Sequence, residues 1–322
     1  MKLGVFAVLF GDRKFEEALD LIVGAGLQTV EIGCGPYPGK AHCDPDQLLV
    51  DERARDAFMH AITSRGLSIS ALSVHGNPLH PNTEVAKEHH RQFEQAVLLA
   101  EMLGVDTVVT FSGCPGESDH SLNPAWVTCP WPEEYAKVLE WQWEEKVIPY
   151  WKKQHDFLEA HKMRVAIEAH PGFVVYHTES MLRLRNACGP RIGVNFDPSH
   201  LFWQGMDPVA AIKTLGKANA IFHVHAKDTS FDRENMSQNG VLDTKSYRNE
   251  LERSWIFRTV GYGHGEETWR NIISALQLVG YTGAVSIEHE DSLMALEEGF
   301  LKAASFLNGL LIRERLETIW WT

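Results

Sequence analysis

The residues able to do chemistry recur at the ends of short apolar runs. RVAIEAH (164–170) ends in Glu168 and His170, and RIGVNFDPSH (191–200) in Asp197 and His200. AIFHVHAKD (220–228) carries His223, His225 and Lys227, GAVSIEHED (283–291) carries Glu288 and Glu290, and SISALSVHG (68–76) adds His75. Successive side chains of a strand face opposite sides. Val165 and Ile167 therefore oppose Ala166, Glu168 and His170, and Val194 and Phe196 oppose Asn195 and Asp197. In the same way Phe222 and Val224 oppose His223, His225 and Lys227, Val285 and Ile287 oppose Ser286, Glu288 and Glu290, and Leu72 and Val74 oppose Ser73 and His75. A lone Glu or His at a strand end is usually a solvated or hydrogen-bonded packing residue. The same parity on successive strands points instead to one shared site.

A Glu, Asp, His, Glu set drawn from these last four strands makes a cage for one divalent cation. Three carboxylates and an imidazole suit Mn²⁺ best, with Mg²⁺, Co²⁺ and Zn²⁺ as alternatives. A cation held there would polarise a substrate carbonyl and stabilise an enediolate. Glutamates on either side of it could remove a proton and return it.

The elements that must position these groups alternate between short apolar runs and longer amphipathic stretches. GVFAVLF (4–10), TVEIGC (29–34), SISALSVHG (68–76) and DTVVTFSG (106–113) read as the first four strands, and the runs above as the last four. Amphipathic stretches separate them, among them KFEEALDLIVGAG (14–26), TESMLRLRNACG (178–189), DPVAAIKTLG (207–216) and ETWRNIISALQLVG (267–280). Eight strand–helix pairs without a strong linker predict an α/β fold, a closed (β/α)8 TIM barrel forming one domain over residues 1–322. A doubly wound open sheet is the alternative, but no GxGxxG follows the first strand. In a barrel the apolar set packs on the outer helices and the polar set faces the lumen, towards the strand ends where barrel enzymes place their sites.

Two long loops stand out, at about 114–135 and 229–266. The first carries Trp126 and Trp131, which serve either as a lid or as packing; Trp141, Trp143 and Trp151 on the following helix read as packing. The second contains VGYGHG (260–265), which would bring backbone and His264 towards substrate. Trp203 is placed as a pocket wall, and Trp320 and Trp321 are expected to pack on the barrel or a partner subunit.

The formal net charge of −13, without a basic stripe, argues against nucleic acid. No apolar run approaches the ~20 residues that cross a bilayer, and the N-terminal stretch lacks a small-residue cleavage site. The five scattered cysteines include no CxxC and read as reduced thiols. A cytoplasmic protein is expected, with no membrane partner.

At VEIG (30–33), SVHGNP (73–78), IEAHPG (167–172), NFDPSH (195–200), HVHAKD (223–228), GYGHG (261–265) and SIEHED (286–291) the chain resembles the xylose isomerase-like barrel superfamily, the sugar phosphate isomerase/epimerase group. The resemblance implies Glu168, Asp197, His225 and Glu288 as metal ligands, since the second His of H-V-H is the usual one, and Glu168 and Glu288 as the proton-shuttling pair. It places His200 against substrate. His75, His170, Lys227 and His264 are assigned to substrate with it, and His223 either to substrate or to the groups behind the metal ligands. The ketose 3-epimerases carry an Arg shortly after the His ligand, where Lys227 and Asp228 stand here. The extra ligands of a three-zinc endonuclease are missing after Thr110, Phe111 and Ser112. The expected activity is isomerisation or epimerisation of a small keto sugar. The alternatives are a lyase of the inosose dehydratase or 3-keto-glycoside-cleaving kind, and a non-catalytic sugar-binding subunit. A homo-oligomer is expected, with room for a second subunit type.

Overall fold

The computed structural model describes residues 1–314, 316 and 318–321. Among these, eight parallel strands close a barrel: β1 (Lys2–Phe6), β2 (Thr29–Gly33), β3 (Ser68–Ser73), β4 (Thr107–Phe111), β5 (Arg164–Glu168), β6 (Ile192–Phe196), β7 (Ile221–Ala226) and β10 (Ala284–Ile287). Closure comes from β1 beside β10, with Lys2 opposite Ala284. A separate antiparallel hairpin, β8 (Asp228–Phe231) and β9 (Trp255–Arg258), rises from the loop after β7. No described helix is long and apolar enough to cross a membrane.

The outward faces of the strands form the main apolar core with the helices, through Val5, Val30, Leu72, Val108, Ile167, Val194, Val224 and Ile287. The lumen has a small apolar floor of Ala71, Val109 and Ala166, capped by Phe222. Phe222 thus departs from the outward position that strict alternation assigns it. Its strand slips by one residue against β6, so that Val194 pairs with Ile221 but Asn195 with His223, leaving Phe222 as the extra residue. A second slip, between Val30/Glu31 of β2 and Ile69/Ala71 of β3, leaves Ser70 as the extra residue. A bulge places two residues opposite one and re-aims a side chain. Gly193 makes room for the floor: a Cβ there would lie 2.6 Å from the Phe222 ring.

Local chemistry also ends three expected strands early. The first strand stops at Phe6, and Ala7–Phe10 form a 3₁₀ turn that buries Leu9 and Phe10. After β6, Asp197 caps the short helix Pro198–Trp203 by accepting from the Ser199 N–H, and Pro198 sits at its first position, where no N–H is needed. The last barrel strand ends at Ile287, so Glu288 and Glu290 lie on the loop beyond it.

The loop after β7 is anchored by one carboxylate. Asp228 Oδ1 accepts from the Thr229 N–H at 2.8 Å and faces His264 Nδ1 at 2.8 Å. Its Oδ2 accepts from the backbone N–H groups of Gly261, Gly263 and His264 and from the Trp269 indole. Gly263 can come this close because it has no Cβ; one would sit 2.3 Å from the Thr229 carbonyl. Hydrogen bonds to a buried charge are worth about 1.5–3 kcal/mol each and cost most when one side is left facing the wrong group. Asp228→Asn should therefore lower unfolding stability by about 2–4 kcal/mol, since its amide must point donors at donors. Denaturant melts read it; an unchanged midpoint would show that the loop is held by other contacts.

Candidate active site

The site is built in two polar layers above the apolar floor. In the lower layer Glu31 is wholly buried. It accepts from the Ser73 hydroxyl, from Ser286 at 2.7 Å and from His225 Nε2 at 2.9 Å. Burial alone would raise its carboxyl, but the His225 and His223 imidazoles and the Ser73 hydroxyl outweigh that and lower it to about 2. His223 lies in the same layer, its Nδ1 donating to Asn195 Oδ1 at 3.0 Å and its Nε2 accepting from Ser70 at 3.2 Å. Burial pushes His223 down to about 4, so the ring is neutral and can accept from Ser70 while it donates to Asn195. The amide of Asn195 in turn donates to Glu168 Oε2 at 3.0 Å.

In the upper layer, Glu168 Oε2 also accepts from His75 Nε2 at 3.0 Å and lies 3.2 Å from His225 Nδ1. Its Oε1 lies 3.3 Å from His200 Nε2. Glu288 Oε2 is 3.0 Å from His225 Nδ1 and 3.1 Å from Lys227 Nζ. Asp197 Oδ2 is 3.4 Å from Lys227 Nζ and 3.2 Å from His200 Nε2. Lys227 is buried, donates to Glu290 at 3.1 Å and has its ammonium 4.6 Å from the Phe257 ring centre. Burial opposes its charge, yet Glu288, Glu290 and Asp197 raise its basicity well above the usual value. Burial raises the Asp197 carboxyl to about 7 against the pull of Lys227, with Glu288 and Glu168 adding to the rise.

One donor atom each from Glu168, Asp197, His225 and Glu288 falls within a 4.8 Å span. Three buried atoms of this set, Asp197 Oδ2, His225 Nδ1 and Glu288 Oε2, lie within ion-pair reach of one another or of Lys227 but make no well-oriented hydrogen bond. A buried polar atom left so costs about 1–3 kcal/mol. Three of them facing one point is the pattern of ligands to a cation. With Nε2 bonded to Glu31, Nδ1 is the nitrogen that faces that point. Burial opposes charge on the ring, but Glu31 and Glu288 raise its basicity well above the usual value, so a cation there would take the place of the Nδ1 proton. The residues thus fit a divalent ion.

Beside the upper layer lies a cavity of about 400 Å³ lined by His170, Tyr247, Ile256, Phe257, Glu290 and Ser292. His170 packs on His200, with ring centres 4.1 Å apart. The long loop therefore reaches the site through Phe257 and Tyr247.

Of the residues assigned to substrate, the structure brings His75, His170, His200 and Lys227 to the upper layer or its cavity. His223 is a correction: it sits below, and both its nitrogens are taken by Asn195 and Ser70. His264 is a second correction, held by Asp228 and stacked on Phe202 at 3.7 Å, away from the carboxylates. Trp126 packs with Trp203, Trp255 and Phe257, and Trp203 stacks on Trp255 at 4.6 Å, behind the cavity wall. Trp143 and Trp151 are buried and Trp131 is exposed. Trp320 and Trp321 are exposed on this chain and touch one another edge to face, so the barrel does not cover them. Glu31 was missed as a functional residue, although a charge in the middle of TVEIG on lumen parity is the signal that finds it. Phe257 and Tyr247 carried no such signal, because the loop fold alone brings them here.

The family model for the xylose isomerase-like TIM barrel matches residues 19–310. Uncharacterized protein YfiH of Bacillus subtilis (strain 168) is 37% identical over 302 residues, 93% of this chain and 96% of that protein. The rhizopine catabolism protein MocC of Rhizobium meliloti is 30% identical over 285 residues, 88% and 76% respectively. Three solved structures share the fold. A D-tagatose 3-epimerase-like protein is 18% identical with TM-score 0.65, covering 96% of this chain and 97% of that one. The IolI protein with a bound zinc atom is 19% identical with TM-score 0.65, covering 97% and 98%. The probable 3-DHS dehydratase AsbF of Bacillus anthracis, involved in petrobactin synthesis, is 17% identical with TM-score 0.63, covering 96% and 99%.

Outer groups that orient metal-binding side chains typically control affinity by about 10–100-fold. Glu31→Gln should preserve the fold and weaken Mn²⁺ binding by about that factor, because the His225 tautomer is no longer enforced. Calorimetric titration reads it, with circular dichroism as the folding control. Undiminished affinity would make Glu31 a packing residue only.

Proposed function

The chain belongs to the xylose isomerase-like TIM barrel family, and we propose that within it the protein is a divalent-metal-dependent isomerase or epimerase of a small keto sugar. The observation that carries this reading is the convergence of Glu168, Asp197, His225 and Glu288 within 4.8 Å, with three of their buried atoms in no well-oriented hydrogen bond. The oxygen-rich set favours Mn²⁺. A divalent ion there would supply Lewis-acid polarisation of the substrate carbonyl.

The chain's own residues supply the rest. Glu168 and Glu288 approach from β5 and from the end of β10, so one can take the proton next to the carbonyl and the other return it. Asn195 and His75 fix Glu168 Oε2, which spares that side chain the entropy of finding its place. The Lys227 ammonium, 3.1 Å from Glu288 Oε2, can donate to a substrate oxygen on which negative charge develops. Phe257 and Tyr247 line the cavity beside these groups.

Lys227 also favours a second reading. A buried ammonium beside the carboxylates can protonate a departing hydroxyl or aglycone β to the carbonyl, which makes the enzyme a lyase. The dehydratase named among the shared folds fits that outcome.

Metal-loaded protein incubated in D₂O with a 2-ketose, an inosose and a 3-keto-glycoside separates the two by product NMR. Deuterium incorporated without loss of water or aglycone supports isomerisation; loss of either supports the lyase. No exchange into any keto sugar would overturn both and leave a binding subunit. Glu168→Gln, assayed with its ion occupancy measured, should slow exchange by at least about 100-fold, since an amide cannot serve as a base. Wild-type exchange in that variant would move the base to another residue.

A further inference from the structure

The other end of the barrel carries a cavity of its own. It holds about 270 Å³ at the N-terminal ends of β5, β7 and β10, and its lining includes Arg164, Asn219, Phe222, Tyr281, Thr282 and Gly283. The catalytic layers stand at the opposite ends of these strands. We propose that this cavity binds a phosphate group, free or carried on a small metabolite, with Arg164 as its main partner. The inference does not depend on the reaction assigned to the other end.

Charge is the first support. The guanidinium carbons of Arg164 and Arg185 lie 5.0 and 5.5 Å from the centre of the Phe222 ring. Two like charges gathered on one ring repel unless an anion answers them. Arg185 is partly buried, and its bonds go to the main-chain carbonyls of Pro190, Ile192 and Asn219, with no carboxylate among the described residues. Arg164 meets one carboxylate, Asp106, at 3.3 Å. Lys2 adds a third positive charge at this end, since it opens β1 and its N–H donates to the Gly283 carbonyl at 3.1 Å. Three cations against one carboxylate leave two positive charges, which a phosphate near its dianionic state neutralises.

Donors are the second support. Arg164 Nε donates to the Thr107 hydroxyl at 2.8 Å and Nη2 to Asp106, which fixes the guanidinium plane and leaves Nη1 for a ligand. A planar fork so held matches phosphate oxygens. The N–H groups of Thr282 and Gly283 donate to no main-chain carbonyl among the described residues. The Thr282 hydroxyl and the Asn219 amide add further donors on the lining. Size is the third support. Pockets for drug-sized ligands hold about 300–1,000 Å³. At about 270 Å³ this one admits a phosphate with only a short carbon chain, for which the Phe222 ring is an apolar wall.

The test is calorimetric titration of the full-length protein, metal-loaded and again after a chelator, with inorganic phosphate and with glycerol 3-phosphate. Glycerol is the neutral control, and circular dichroism checks the fold of each variant. The expected result is one saturable site per chain that is the same with and without metal. Arg164→Gln should weaken it by at least about 10-fold, the loss of a charged hydrogen-bonding partner, and Arg164→Lys by less. Thr282→Glu, at an exposed position outside the strands, sets a carboxylate in the cavity and should abolish binding. Tighter binding of the ester than of phosphate identifies a phosphorylated metabolite as the ligand, and equal binding identifies free phosphate; either upholds the site. Absence of saturable binding overturns it. Binding seen only in the metal-loaded protein also overturns it, because the anion then sits at the catalytic end. So does undiminished binding in folded Thr282→Glu, which decides the matter even if Arg164→Gln fails to fold.

Discussion

Glu31 accepts the Nε2 proton of His225 at 2.9 Å in the middle of the barrel, and the arrangement above it depends on that bond. A neutral imidazole has one donor and one acceptor nitrogen. With Nε2 committed downwards, Nδ1 faces up between Glu168 and Glu288, where a bound cation would replace its proton and leave the ring neutral. Were the tautomer reversed, Nδ1 would present a proton, and no cation could be held there. Glu31 can play this part only because it is itself satisfied: Ser73 and Ser286 fill its remaining acceptor positions without adding charge. A second chain of bonds runs parallel to it, from Ser70 through His223 and Asn195 to Glu168. The lower layer is therefore a scaffold of hydrogen bonds, and the upper layer holds close charged atoms of which several make no well-oriented hydrogen bond.

The backbone irregularities belong to the same construction. Without the slip opposite Ser70, that hydroxyl would face the helices and His223 would lose its donor. Without the slip at Phe222, the floor would lack its cap, and the polar layers would stand over a gap. A regular eight-stranded lumen is filled by apolar side chains. Here the apolar filling is confined to one layer, and the two bulges let the polar layers begin directly above it.

Asp228 organises the outer wall as Glu31 organises the interior. By gathering the N–H groups of Gly261, Gly263 and His264 it folds the long loop back on the barrel. That places β9, and with it Phe257, against Lys227 and His200. The aromatic stack of Trp203 and Trp255 stiffens the wall from behind. A sugar-sized cavity thus forms between a rigid carboxylate cluster and a loop pinned at its base.

The sequence by itself determined the barrel and the faces of its strands, because a two-residue alternation of apolar and polar side chains is a local property that survives folding. Parity put Glu168, Asp197, His225 and Glu288 on one lumen with His170, His223, Lys227 and Glu290, and the resemblance to the family singled out the four. Lys227 followed from the same parity, even though the chain leaves β7 at Ala226. Tertiary structure decided what parity cannot express. The extra residues Ser70 and Phe222 exist only as a relation between paired strands, so nothing in either strand alone announces them. The commitment of both His223 nitrogens depends on Ser70 and Asn195, which lie far from each other in the chain. The place of His264 was decided by Asp228, whose carboxylate holds the ring away from the cavity. Hydrogen bonds and side-chain stacking between distant segments depend on approach in three dimensions, and that is fixed only when the barrel has closed and its loops have folded over it.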